Sequence, residues 1–147
     1  LVKEILQDEE ITADAHHITL NAEMPKSAVK LVCDPDAIRK VIRNLVTNGV
    51  RYTPEEGSVV IRLTDASDEI LLEVADTGIG IEATELKQIF HEFYRTPQAK
   101  SVSSAGTGLG LAIVERLVDE HGGYVTVESE VDQGSTFQVH FPKEIVP

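Results

Sequence analysis

Two asparagines stand one helical turn apart in Asn44-Leu-Val-Thr-Asn48, and Arg51 follows three residues later. An amide oxygen is a hard, neutral donor, suited to a magnesium ion that already carries phosphates and waters. Further along, Asp76-Thr-Gly-Ile-Gly80 sets a carboxylate before two alternate glycines, and Gly106-Thr-Gly-Leu-Gly110 repeats the alternation directly before an apolar run. A carboxylate taken out of water needs a donor, so a partly buried Asp76 would choose its ligand by the amine presented to it. Glycines at alternate positions indicate a backbone path that a Cβ would obstruct. Where they feed a helix, its free N–H groups and dipole favour phosphate oxygens. Each stretch has a plainer account as well. The asparagines fit a solvated helix flank, Asp76 a tight turn, and the glycine triplet a flexible hinge.

Spacing removes two familiar phosphate cradles. The dinucleotide fingerprint needs a third glycine where Leu111 stands, and a P-loop needs Gly-Lys-Ser/Thr, which the chain lacks.

These residues need elements to position them. The first sixteen residues read as a helix, followed by short strands at 18–20 and 30–33. Asp34 as N-cap and Pro35 at the first helical position open a helix that Pro54 stops. On it Ile38, Val41, Ile42, Leu45 and Gly49 share one face, while Lys40, Asn44, Asn48 and Arg51 form a polar stripe beside it. Alternating runs at 58–64 and 69–76 predict a hairpin. A helix is expected over 84–94, with Phe90 and Phe93 packing into the core at its end. A polar loop leads from there to the glycines. A helix over 109–120 ends at Gly122-Gly123, and a last hairpin, 124–130 with 136–141, turns at Asp132-Gln-Gly134. Strands that arrive in pairs favour antiparallel neighbours. The expected class is therefore α+β, a two-layer α/β sandwich with a mixed, mostly antiparallel sheet and helices on one face.

Length and charge set the outer limits. A chain of 147 residues suits one domain, here expected over 1–147. No run is long and apolar enough to span a bilayer, and the charged start is no secretory signal. The lack of an initiator Met suits a piece of a longer protein. A net charge of -12 argues against nucleic acid or an anionic membrane as partner. The single cysteine, Cys33, excludes an internal disulfide.

Taken in order, the asparagine helix, DTGIG, FHEFYR, GTGLGL and Gly134-Ser-Thr136 resemble the N, G1, F, G2 and G3 boxes of the ATP-binding catalytic domain of sensor histidine kinases. That family lies within the wider GHKL group of ATPases and kinases that includes Hsp90, type II topoisomerases and MutL. The resemblance spans essentially the whole chain. It implies ATP and Mg2+ as ligands, with Asn48 on the metal and Asn44 and Arg51 near the phosphates. It places Asp76 on the adenine amine, Tyr52 near the base, and Thr136 on the adenine side. Gly78, Gly80, Gly106, Gly108 and Gly110 would shape the pocket and a mobile lid over about 96–105, with Thr107 and Leu109 in the same G2 segment. Gly49 stands where the family usually has alanine, Arg51 where lysine is more frequent, and His91-Glu92 departs from the usual F box.

The family's phosphoacceptor lies in a His-Glu or His-Asp motif followed by a basic residue. His16, His17, His91, His121 and His140 do not match it, so the resemblance implies an acceptor on a dimerisation domain outside this sequence and names no catalytic base here. It further implies a response regulator as partner, no nucleic acid, no direct membrane contact by this domain, and a cytoplasmic location whether or not the parent is membrane-anchored. Three rivals share the pocket. One is a regulatory module that binds ATP without transfer, and another an anti-sigma-type serine kinase. The third, a hydrolase of the Hsp90 or MutL type, would want a carboxylate where Asn44 stands.

Overall fold

The computed structural model describes residues 1–103 and 106–143. The elements run α1 Val2–Ala15, β1 Thr19–Glu23, α2 Pro35–Tyr52, β2 Ser58–Asp65, β3 Glu69–Asp76, a 3-10 turn at Ala83–Glu85, α3 Pro97–Val102, α4 Gly110–Glu120, β4 Tyr124–Glu130 and β5 Gly134–Pro142. The strands form one sheet in the order β1-β2-β3-β5-β4. Only β1 and β2 are parallel; the other neighbours are antiparallel.

Side chains alternate across each strand, so one face of the sheet collects Val59, Ile61, Ile70, Leu72, Val74, Phe137, Val139 and Phe141, all buried. Against it pack α1, α2 and α4. The opposite face is polar. It carries Arg62 on Glu23 at 2.6 Å, Gln138 on Glu73 at 3.3 Å, and His140 on Glu69 at 3.2 Å. A single layer of helices therefore covers one side of the sheet, the two-layer α+β arrangement expected from the order of elements.

Helix α2 is central to the core and to the site. Asp34 Oδ1 accepts from the N–H groups of Asp36 at 3.0 Å and Ala37 at 3.4 Å, and Pro35 needs no partner at the first turn. At the other end Thr53 Oγ1 donates to Gly49 O at 2.6 Å before Pro54 stops the chain. Val41, Leu45 and Val46 are at most 1% exposed, each contributing about 1.5–3 kcal/mol of apolar burial. Exposed pairs tie α1 to α2, Arg39 with Glu4 and Arg43 with Asp8, both at 2.9 Å, but at that exposure they add little.

Four sequence expectations fail. Residues 30–33 form no strand; they run on without ladder pairing while Leu31 and Cys33 pack against the core. Residues 84–94 form no α-helix; the chain passes through the 3-10 turn and further turns instead. Phe93 has φ 65° and is 70% exposed, so it is no core residue, whereas Phe90 packs edge-on against Phe137 at 6.4 Å. Finally, the expected polar loop contains α3, opened by Thr96, whose Oγ1 accepts from Ala99 N–H at 3.0 Å, and by Pro97. Ser104 and Ala105, at the end of the expected lid, lie outside the described residues.

Candidate nucleotide site

The polar stripe of α2, the loop after β3, the segment ending at Thr96, α3 and the glycine triplet surround one cavity of about 220 Å³. Asn44, Asn48, Arg51, Tyr52, Asp76, Gly80, Gly106, Thr107, Gly108 and Gly110 all line it. Residues separated by more than sixty positions are thus brought together by the fold, as their types suggested.

Asp76 ends β3 on the helix-covered face of the sheet. Its Oδ1 accepts from the N–H of Gly78 at 2.8 Å and of Ser135 at 3.2 Å. Burial pushes its pKa up to about 6, and the two N–H bonds pull the other way with smaller effect. Among the described residues both bonds fall on Oδ1, which leaves Oδ2 to meet a ligand. A desolvated carboxylate so placed favours a ligand that brings a donor.

The glycines act by what lies against them. Gly80 has φ 71°, and a Cβ there would stand 2.1 Å from Glu130 O, because the β4–β5 turn crosses this loop. Asp132 N–H donates to Ile79 O at 2.9 Å and Ile81 N–H to Ser129 Oγ at 2.8 Å, locking the two motifs together. Gly108 has φ 75° and its Cβ would meet the Phe93 backbone at 2.6 Å; Phe93 N–H donates to Gly108 O at 2.8 Å. The F-box segment and the glycine triplet are therefore joined by main chain.

The phosphate side has matching chemistry. Asn44 Nδ2 donates to Gly110 O at 3.4 Å, linking α2 to the first residue of α4. Among the described residues helix α4 has no side-chain cap at its N-terminus; the N-cap Leu109 N–H donates to Thr107 Oγ1 at 3.3 Å, and the N–H groups of the first turn after it suit an anion. Arg51 is exposed at the rim. The metal question turns on donor type: the groups here are amide oxygens rather than a cage of carboxylates, and among the described residues no group of three or more His, Cys, Asp or Glu could hold a cation. Such a set fits magnesium that arrives with phosphate and water ligands.

Three residues expected at the site do not line the cavity themselves. Gly78 serves Asp76 through its N–H rather than lining the cavity, and Leu109 is the N-cap of α4. Thr136 pairs with Ala75 and Glu128 on the polar face of the sheet, pointing away from Asp76. Its neighbour Ser135, buried and opposite Asp76, takes that place. Strand alternation makes the one-residue choice decisive.

Sequence reasoning missed Thr47, Arg95, Ser135 and the apolar walls Ile79, Ile81, Ile89, Leu111 and Phe137. Thr47 adjoins the recognised stripe. The apolar residues carry no sign that separates a pocket wall from a core position. Arg95 stands within the F-box motif and offered a cation next to the lid.

A model of the histidine kinase-, DNA gyrase B- and HSP90-like ATPase family matches residues 33–145. The chain is 35% identical over 147 residues to the sensor histidine kinase RppB of Synechocystis sp., which covers 100% of this chain and 32% of RppB. The catalytic domain of histidine kinase ThkA has a TM-score of 0.84 at 28% identity, covering 97% of this chain and 91% of that one. ThkA in complex with the response regulator protein TrrA gives 0.80 at 26%, covering 97% and 39%. Full-length ShkA in complex with AMPPNP gives a TM-score of 0.83 at 26% identity, covering 99% and 30%. The chain spans between 15% and 32% of the length of the curated relatives it matches.

Proposed function

The chain belongs to the histidine kinase-, DNA gyrase B- and HSP90-like ATPase family, and on that premise we propose that residues 1–147 are the magnesium–ATP-binding catalytic domain of a two-component sensor histidine kinase. One observation carries the reading: a desolvated Asp76 carboxylate and the Asn48 amide share a cavity that also receives the uncapped start of α4. Asp76 accepts from the adenine amine, and Tyr52 borders the base. Asn48 supplies an oxygen to the metal, with Asn44 beside it. Magnesium, when bound, neutralises triphosphate charge, and Arg51 with the α4 N-terminus holds the phosphate oxygens.

Phosphoryl transfer needs positioning and charge neutralisation more than covalent help from the protein. This chain's share is to hold the nucleotide and exclude water. The γ-phosphoryl group passes from ATP to an imidazole nitrogen of a histidine on the parent's dimerisation domain, leaving ADP, and then from that phosphohistidine to a response-regulator aspartate. The AMPPNP of ShkA and the TrrA partner of ThkA support the nucleotide and the regulator respectively. Among the described residues no helix is long and apolar enough to cross a membrane; as part of this proposal the domain works in the cytoplasm without touching the bilayer. Its acidity supports a role without nucleic acid.

The test mixes this chain with the parent's histidine-bearing domain and γ-labelled ATP. Acid-labile label on the histidine is expected. Saturable ATP binding without label on that domain would replace the proposal with the regulatory-module reading.

A further inference from the structure

Helix α3, which covers the cavity, has no buried residue. Apolar packing therefore does not fix its position, and polar contacts must. Among the described residues, three converge on Arg95. Its Nη2 donates to Tyr52 Oη on α2 at 3.0 Å, to Ala99 O within α3 at 3.2 Å, and to Ser103 O just beyond it. Its Nε is buried without an acceptor among the described residues. The guanidinium lies on Gly106, where a Cβ would come within 2.9 Å of Nε. Nη2 carries two N–H groups, so two of these three acceptors share one donor, and the planar guanidinium holds them together.

We propose that Arg95 is a positioning residue that latches α3 to α2 through Tyr52. Gly106 belongs to the same device: any side chain there would push the guanidinium off its acceptors. Since Tyr52 also lines the cavity, a ligand ring arriving at Tyr52 meets the latch, and lid position is coupled to occupancy. That coupling rests on the nucleotide reading; the latch itself is a property of the empty protein and is tested there.

Hydrogen exchange by mass spectrometry reads it directly. In nucleotide-free protein, Tyr52→Phe keeps the ring and removes the acceptor oxygen. Losing a bond to a charged group should speed exchange over 98–102 about tenfold, with α2 and the sheet unchanged. Arg95→Gln should do at least as much, and Tyr52→Phe added to Arg95→Gln should do nothing more, because both remove the same link. Lid exchange within about twofold of wild type in Tyr52→Phe, or additive effects in the double variant, would overturn the latch. Neither result bears on ATP binding, and failure to bind ATP would leave the latch standing.

Discussion

Replacing Asp76 by Asn should strengthen the empty protein while destroying its ligand selectivity. Burial raises the Asp76 carboxyl from 3.8 to about 6, so holding it ionised costs the folded state about 3 kcal/mol. The sign follows from the direction. A folded pKa above the unfolded one favours the protonated form, so this contribution to stability is complete below about 3.8 and is lost as pH rises through about 6. Asparagine does not ionise and escapes that loss. It accepts more weakly from the Gly78 and Ser135 N–H groups, which subtracts roughly 1 kcal/mol at every pH. The variant should therefore gain about 2–3 kcal/mol relative to wild type between about pH 4 and pH 7.5, a relative rise in Tm of about 4–12 °C for a domain of this size. Urea unfolding of both proteins across that range measures the difference. A gap that stays constant with pH would refute the account of Asp76 as a carboxylate ionised at a desolvation cost.

Three further outcomes are expected. Asn48→Ala should abolish the magnesium dependence of ATP affinity, measured by calorimetry with and without a chelator, while leaving the fold intact because Asn48 lies outside the buried face of α2. Gly108→Ala forces a Cβ into the Phe93 backbone at φ 75° and should cost about 1–3 kcal/mol in urea unfolding. Thr136→Val, on the far face of the sheet from Asp76, should change ATP affinity less than about twofold; a large loss would restore Thr136 to the adenine side.

The legible parts of the molecule were those with strong local punctuation. Asp34-Pro35 and Pro54 frame α2, and the period-2 runs in β2, β3, β4 and β5 can bury one face only in a sheet. The same logic was available for α3: Thr96-Pro97 repeats the cap-then-proline signal of Asp34-Pro35, at a helix too short for periodicity to reveal. Residues 84–94 misled because Ile89 and Phe90 are placed against the core by turns as well as a helix would place them. Their geometry is set by bonds that a regular helix would not make, Tyr94 Oη on Glu85 within the segment at 2.7 Å and Phe93 N–H on Gly108 O beyond it. Leu31 and Cys33 pack against the core without strand neighbours, a tertiary outcome that alternation alone cannot separate from a strand. At the site, residue type found the polar groups, whereas the choice of Ser135 over Thr136 depended on which face of β5 meets Asp76.

Adenine and guanine differ where Asp76 would read them: adenine presents an exocyclic amine donor and guanine a carbonyl acceptor. Titrating the folded protein calorimetrically with magnesium and either ATP or GTP tests the central claim most directly. Saturable heat from ATP, with GTP weaker by at least about a hundredfold, is the predicted result. Equal affinity for the two, or no saturation by ATP at millimolar concentration, would contradict it.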